Sequence, residues 1–174
     1  MNVALIGFMG TGKTLLGSLL AQRWGWRFVD TDSLVEQRLG CSVAQVFERF
    51  GEEYFRQQET EVLYSLERER HLVIATGGGA PTRPENVRSL RRHAVLVLLT
   101  AEPEVILQRV QPVHSRPKLA SAPDVLAEVR RLLRERAPAY SCADLQLDTS
   151  HLTPEEAVQR LEELVTTWRP NPRS

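Results

Sequence analysis

Lysine is almost missing from this chain: of its 22 Lys and Arg residues only Lys13 and Lys118 are lysines. A net charge is missing too, with 22 acidic side chains against 22 basic ones. That balance argues against a general nucleic-acid or membrane-surface binder but leaves room for arginines to gather at an anionic substrate. Cysteine is scarce. Cys41 and Cys142 fall in no CxxC or zinc spacing, a β/α domain of this size needs no disulfide, and both are expected as small buried apolar side chains. No apolar stretch approaches the about 18 residues of a membrane span, and no signal or transit pattern precedes the first strand, so a soluble, cytoplasmic protein is expected. A DxxG after a strand and an NKxD guanine-reading motif are both lacking, which sets aside a GTPase-like switch. The 174 residues suit a single domain that buries about two thirds of its extended-chain surface.

What is present begins at Gly7. The run GFMGTGKT, Gly7 to Thr14, is a complete P-loop placed directly after the apolar run Asn2 to Ile6 and before an amphipathic stretch to Trp24. In that context the glycines let backbone N–H groups turn inward on phosphates, and the helix N-terminus adds its dipole. Lys13 reaches the β- and γ-phosphates, and Thr14 offers its hydroxyl to Mg²⁺. A lysine kept here in an arginine-rich chain is informative, because a guanidinium fork does not fit a cradle built for a compact ammonium.

Further along, helix and strand patterns alternate. Short strands are expected at 27–29, 72–75, 94–99 and 144–147, and helices at 33–39, 43–50, 51–70, 84–92, 103–109, 123–137 and 154–168. With the first strand this makes five strands in β/α alternation, hence an α/β protein with a three-layer α/β/α sheet. The stretch Val110 to Ala122 is too irregular for an element and long enough for a mobile lid. Residues 1–168 are read as one domain with that lid, and 169–174 as a frayed tail.

The expected second strand ends in Asp30-Thr31-Asp32, at the carboxyl edge where such sheets open onto their ligand crevice. Alternation aims Asp30 and Asp32 the same way if the strand reaches them. Near a P-loop, two carboxylates suit a division of labour, one holding the Mg²⁺ shell and the other accepting a hydrogen bond from an attacking hydroxyl. Asp32 alternatively caps the following helix. Arg56 and Glu59 in Phe55-Arg56-x-x-Glu59 lie one helical turn apart and can pair, which taken alone is a surface ion pair. Thr76-Gly77-Gly78-Gly79 invites close approach of a ligand. Arg109 precedes the lid stretch, Arg116-Pro117 lies in it, and Arg136 comes four residues before Tyr140.

Taken in order, GFMGTGKT, FVDTD, FRxxE, TGGG, RP within a lid and RAPAY resemble shikimate kinases from Gly7 to Tyr140, most of the chain. The resemblance implies a nucleoside-monophosphate-kinase-like fold with five parallel strands in order 2-3-1-4-5, and MgATP-dependent transfer to the 3-hydroxyl of shikimate. It places the nucleotide on Gly10, Thr11, Gly12, Lys13, Thr14 and Leu15, with Arg109 packing on the adenine and Arg116 neutralising the transferring group. Thr14 and Asp30 would hold the Mg²⁺, and Asp32 would bind and polarise the shikimate hydroxyl. Arg56 and Arg136 would grip the substrate carboxylate, and Gly77, Gly78 and Gly79 would present backbone amides. The catalytic set is then Lys13, Asp32 and Arg116, the partners are small molecules only, and a monomer is expected.

A gluconate- or nucleotide-directed P-loop kinase would share loop and lid but has no reason to keep both FRxxE and the RAPAY arginine. Lids of this family commonly continue Arg-Pro-Leu-Leu, whereas here Lys118 stands at the first leucine; it either answers phosphate charge or points outward. Val110 to Ser115 carries Pro112 and His114 in place of glycines. His71, His93, His114 and His151 have no spacing for metal or nucleophilic work and are expected to be solvated or structural.

Overall fold

The computed structural model describes residues 1–110 and 118–169. Three hydrophobic strands make the centre: β1 (Asn2–Ile6), β3 (Leu72–Ala75) and β4 (Ala94–Thr100). Every residue of β1 and β3 is buried, as a parallel sheet covered on both faces requires. With β2 (Arg27–Asp30) and β5 (Leu145–Asp148) they form one parallel sheet in the order β2-β3-β1-β4-β5. In its register Leu5 lies beside both Ala75 and Val97.

Strand alternation sorts the core into two sides. Val3, Leu5, Val73, Val95, Val97 and Leu99 meet Leu16 and Leu20 of α1 (Lys13–Trp24) and Val158 and Leu161 of α7 (Pro154–Thr167). Ala4, Ile74 and Leu96 face Leu63 of α3 (Val43–Ser65) and Leu90 of α4 (Pro84–Arg91). Two smaller clusters carry the elements around the crevice. Val35 of α2 (Thr31–Leu39) packs on Val46, Phe55 and Val62 of α3, and Phe8 packs on α5 (Pro103–Arg109) and α6 (Val125–Tyr140). At the opposite end of the sheet Asn2 acts as a buried staple. Its amide nitrogen donates to Glu69 O at 2.9 Å and lies 2.9 Å from His93 Nδ1, and its oxygen accepts from Leu72 N at 3.0 Å. His93 is thus structural, its pKa lowered by burial.

Several boundaries differ from the sequence reading, each for a local reason. The two helices expected at 43–50 and 51–70 are one element, kinked where Gly51 takes φ 82° and ψ 169°. That element stops at Ser65, because buried Leu66 turns the chain into the core and the Arg70 guanidinium takes the carbonyls of Glu67 and Glu69. Helix α6 starts at Val125, where Asp124 accepts from Ala127 N, and runs through Pro138 to Tyr140. Proline removes one intrahelical donor there, but Tyr140 is buried and anchors the turn by donating to Gly78 O at 2.7 Å. A 3-10 turn at Ala80–Thr82 had no sequence signal strong enough to be read. Cys41 and Cys142 are free thiols and half-buried rather than buried: each follows a helix and packs only one side on a core cluster. His71 (φ 60°) stacks edge-on with Trp26, and His151 lies 3.1 Å from Glu102. Among the described residues no helix is long and apolar enough to cross a membrane.

Candidate active site

The loop from β1 to α1 wraps the Lys13 ammonium, which donates to Gly7 O at 2.7 Å and Phe8 O at 2.9 Å. Gly12 precedes α1 with φ 101°, a left-handed backbone that a side chain would strain, and no side chain caps the helix. The first-turn amides therefore open into a cleft of about 500 Å³, walled by Gly10, Thr11, Thr14, Leu15, Asp30 and Asp32 among others. A helix N-terminus with uncapped amides and a buried ammonium beside it is an anion site of the right size for nucleotide phosphates.

Asp30 is the last residue of β2, and α2 begins at once at Thr31, so the strand does not reach Asp32. The helical cap is Asp30, not Asp32: its Oδ1 accepts from Asp32 N at 3.0 Å and Ser33 N at 3.2 Å. Its Oδ2 accepts from the Thr14 hydroxyl at 2.8 Å. Two hard oxygens, a hydroxyl and a carboxylate, thus stand together at the mouth of the loop, the kind of pair a small divalent cation takes alongside phosphates and water. Among the described residues no group of three or more His, Cys, Asp or Glu could hold a metal by itself.

Relieved of capping, the Asp32 carboxylate turns inward. Its Oδ1 is buried without a hydrogen-bond partner. Burial, then the neighbouring charges of Glu59 and Asp30, push its pKa up to about 6, against the opposing pull of Lys13 and Arg56. A carboxylate that lines the cleft and ionises close to neutrality can take a hydrogen bond and then a proton from a hydroxyl.

Behind it stand the two arginines. Arg56 and Glu59, which taken alone would read as a surface ion pair, are buried: Arg56 Nη1 donates to a fully buried Glu59 at 2.8 Å. Their helix face is turned to the core by Phe55 and Val62, a tertiary fact the one-turn spacing did not contain. Burial raises the pKa of Glu59, and the Arg56 guanidinium opposes that shift. Arg136 is 7% exposed, lies 5.3 Å over the Phe8 ring, and has no carboxylate ion-pair partner among the described residues. Its neighbour Tyr140 has a pKa raised by burial and restrained by Arg136.

The three glycines make this packing possible. A Cβ on Gly77 would collide with Glu59 Oε1 and sit 2.7 Å from Asp32 Oδ1; one on Gly79 would collide with Arg56 Nη2; one on Gly78 would come to 3.1 Å from Arg136 Nη1. The space a side chain would fill at each glycine is taken by the protein's own charged groups. The Gly77 amide is committed as well, donating to the buried Thr31 hydroxyl at 3.0 Å.

On the other rim, Arg109 is fixed by Thr149, donating to its hydroxyl at 2.9 Å and its carbonyl at 2.7 Å, and it reaches Gly10 O at 3.3 Å. The Thr149 hydroxyl also lies 2.8 Å from Thr11 O and so ties the P-loop to the end of β5. Thr149, Thr31 and Glu59 escaped the sequence reading as site residues. The rule that strand carboxyl ends face the crevice points to Thr149, whereas nothing local marks Thr31. Lys118 points neither at the P-loop nor freely outward; it bonds Glu52 at 2.5 Å. Arg116, Pro112 and His114, most of the expected lid and residues 170–174 of the expected tail lie outside the described residues.

Comparison with known proteins agrees with this geometry. The family pattern described as shikimate kinase matches residues 9–166. Shikimate kinase of Caldanaerobacter subterraneus subsp. tengcongensis is 45% identical over 160 residues, 92% of this chain and 93% of that one. Shikimate kinase of Geobacter sulfurreducens is 45% identical over 166 residues, 94% of this chain and 90% of that one. Among solved structures, shikimate kinase from Acinetobacter baumannii in complex with shikimate superposes with a TM-score of 0.91 at 35% identity, covering 95% of this chain and 93% of that one. Shikimate kinase from Aquifex aeolicus gives 0.80 at 35% identity, covering 95% and 96%. A family pattern spanning nearly the whole chain, relatives of this identity and a shared five-stranded fold place the chain in the shikimate kinase family.

Proposed function

We propose that this chain transfers the γ-phosphoryl group of ATP to the 3-hydroxyl of shikimate, giving shikimate 3-phosphate and ADP. The observation that carries the reading is the buried pair Arg56 and Arg136, packed with Asp32 around the Gly77-Gly78-Gly79 segment beside a P-loop cleft that Asp32 and Gly78 line. A buried guanidinium with no carboxylate partner is costly unless an anion joins it, and a fork of N–H donors matches a carboxylate. Shikimate offers a carboxylate for that fork and ring hydroxyls for Asp32. Gluconate also carries both groups, but a guanidinium pair set around one acceptor suits a compact ring acid.

Each residue then has a task. Lys13 leaves its two carbonyl partners to take charge on the β- and γ-phosphates, with the amides of α1 behind it. Asp32 orients the attacking hydroxyl in line and takes its proton, a role for which an elevated pKa is suited. Arg109 forms the wall against which the adenine packs, and Arg116 answers the charge of the group in flight. Thr14 and Asp30 would hold Mg²⁺, which when bound would supply neutralisation of the phosphate oxygens. The enzyme acts as a cytoplasmic monomer on small molecules alone. An ADP-release assay with Mg²⁺ and shikimate, gluconate or a nucleoside monophosphate as acceptor tests the reading, with the product identified by ³¹P NMR. Turnover confined to shikimate is the expected result; preference for another acceptor would overturn it.

A further inference from the structure

The substrate arginine Arg56 is flanked by more negative charge than its task suggests. Besides Glu59 on Nη1, the Oε1 atom of Glu52 stands 3.6 Å from Arg56 Nη2. A guanidinium held between two carboxylates keeps little positive potential for a third. Glu52, however, is shared: its Oε2 atom accepts from Lys118 Nζ at 2.5 Å. One carboxylate is thus divided between two cations, one oxygen to each.

We propose that Lys118 is a positioning residue for substrate binding: by sharing Glu52 it weakens that carboxylate's hold on Arg56 Nη2, so that the substrate carboxylate can displace it there. The inference rests on the function proposed above. Around Arg56 the side-chain charges are Arg136 and Lys118 on one side of the balance and Asp32, Glu52 and Glu59 on the other, so that with Arg56 itself they cancel, and losing Lys118 leaves one negative charge in excess. Lys118 and Glu52 are partly exposed, with side chains 35% and 43% accessible, so the effect is screened and modest.

Charge order gives a signed test in steady-state kinetics. Lys118→Leu should raise KM for shikimate about two- to fivefold, the range a partly exposed pair supports. KM for ATP and kcat should stay within about twofold, since Lys118 bonds Glu52 and does not line the P-loop cleft. Glu52→Gln should lower KM for shikimate, the double variant should return it close to the parent value, and Lys118→Arg should preserve it. All differences should shrink in about 0.5 M salt, where the Debye length falls to a few ångströms. An unchanged KM in Lys118→Leu, or a double variant as impaired as Lys118→Leu, overturns the proposal, as does a Glu52→Gln variant with raised KM. A parent enzyme without shikimate turnover overturns the proposed function itself, whereas normal turnover with flat KM values overturns this inference alone.

Discussion

Replacing Asp32 by Asn should make the protein more stable while nearly abolishing its activity, and both effects follow from the same burial. The folded-state pKa of Asp32 is raised from 3.8 to about 6 by burial and by the charges of Glu59 and Asp30. About two units at 1.36 kcal/mol each give a penalty of about 3 kcal/mol for keeping the carboxylate ionised in the fold. The sign runs as follows from proton counting. Between pH 3.8 and about 6 the folded state retains a proton that the unfolded state has released, so stability falls as pH rises through that window. The full penalty stands above about pH 7, and none below about pH 3.5. Asparagine has the same shape, carries no charge and can donate to Glu59 Oε1, which is buried without a partner. In a domain of this size about 3 kcal/mol corresponds to a Tm gain on the order of 6–12 °C. Thermal unfolding of parent and variant from pH 4 to 8, in EDTA without nucleotide, isolates the effect. A gap that opens with rising pH and saturates near pH 7 is expected, together with a loss of kcat of about 10²–10⁴. A pH-independent gap, or a variant less stable than the parent at pH 7.5, would refute the reasoning.

The same ionisation should appear in the parent's kinetics, where kcat/KM for shikimate rises with pH through an apparent pKa near 6 in the free enzyme. Arg136→Met removes a buried cation that has no carboxylate partner among the described residues, at similar volume. It should leave Tm unchanged or higher and abolish shikimate binding in calorimetry while ADP binding survives; loss of both ligands together would contradict a role confined to the acceptor. Gly79→Ala places a methyl group on Arg56 Nη2 and should raise KM for shikimate at least tenfold, with a stability loss of about 1–3 kcal/mol by urea denaturation. Normal kinetics there would mean that Arg56 is not held against Gly79. Asn2→Ala breaks the staple beneath β1 and β3 and should lower stability by about 2–4 kcal/mol with kcat unchanged, since it lies at the far end of the sheet.

Local signals carried the chain's architecture far. Apolar runs located the three central strands, because a strand buried on both faces has little freedom in composition, whereas the partly exposed edge strands β2 and β5 carry shorter, mixed signals. The P-loop was legible for the same reason: its chemistry is contained in eight consecutive residues. What escaped was whatever depends on two segments meeting. The Arg56–Glu59 spacing is the same on a surface and in a core, and only the packing of Phe55 and Val62 decides between them. Likewise, Asp30 and Asp32 are two apart whether the chain continues as a strand or turns into a helix. The turn at Thr31 reverses which of the two is spent on the cap.

The Thr76-Gly77-Gly78-Gly79 segment shows how such a meeting produces function. Read locally, its glycines clear space for a ligand. In the fold, that space is filled by Glu59, Asp32, Arg136 and Arg56, drawn from α3, α2 and α6. The missing side chains therefore let four charged groups crowd closer than β-carbons at these positions would permit. Crowding is what raises Asp32 toward neutrality and keeps Arg136 out of water. The site's reactivity is thus set by the absence of three methyl groups as much as by the presence of any charge.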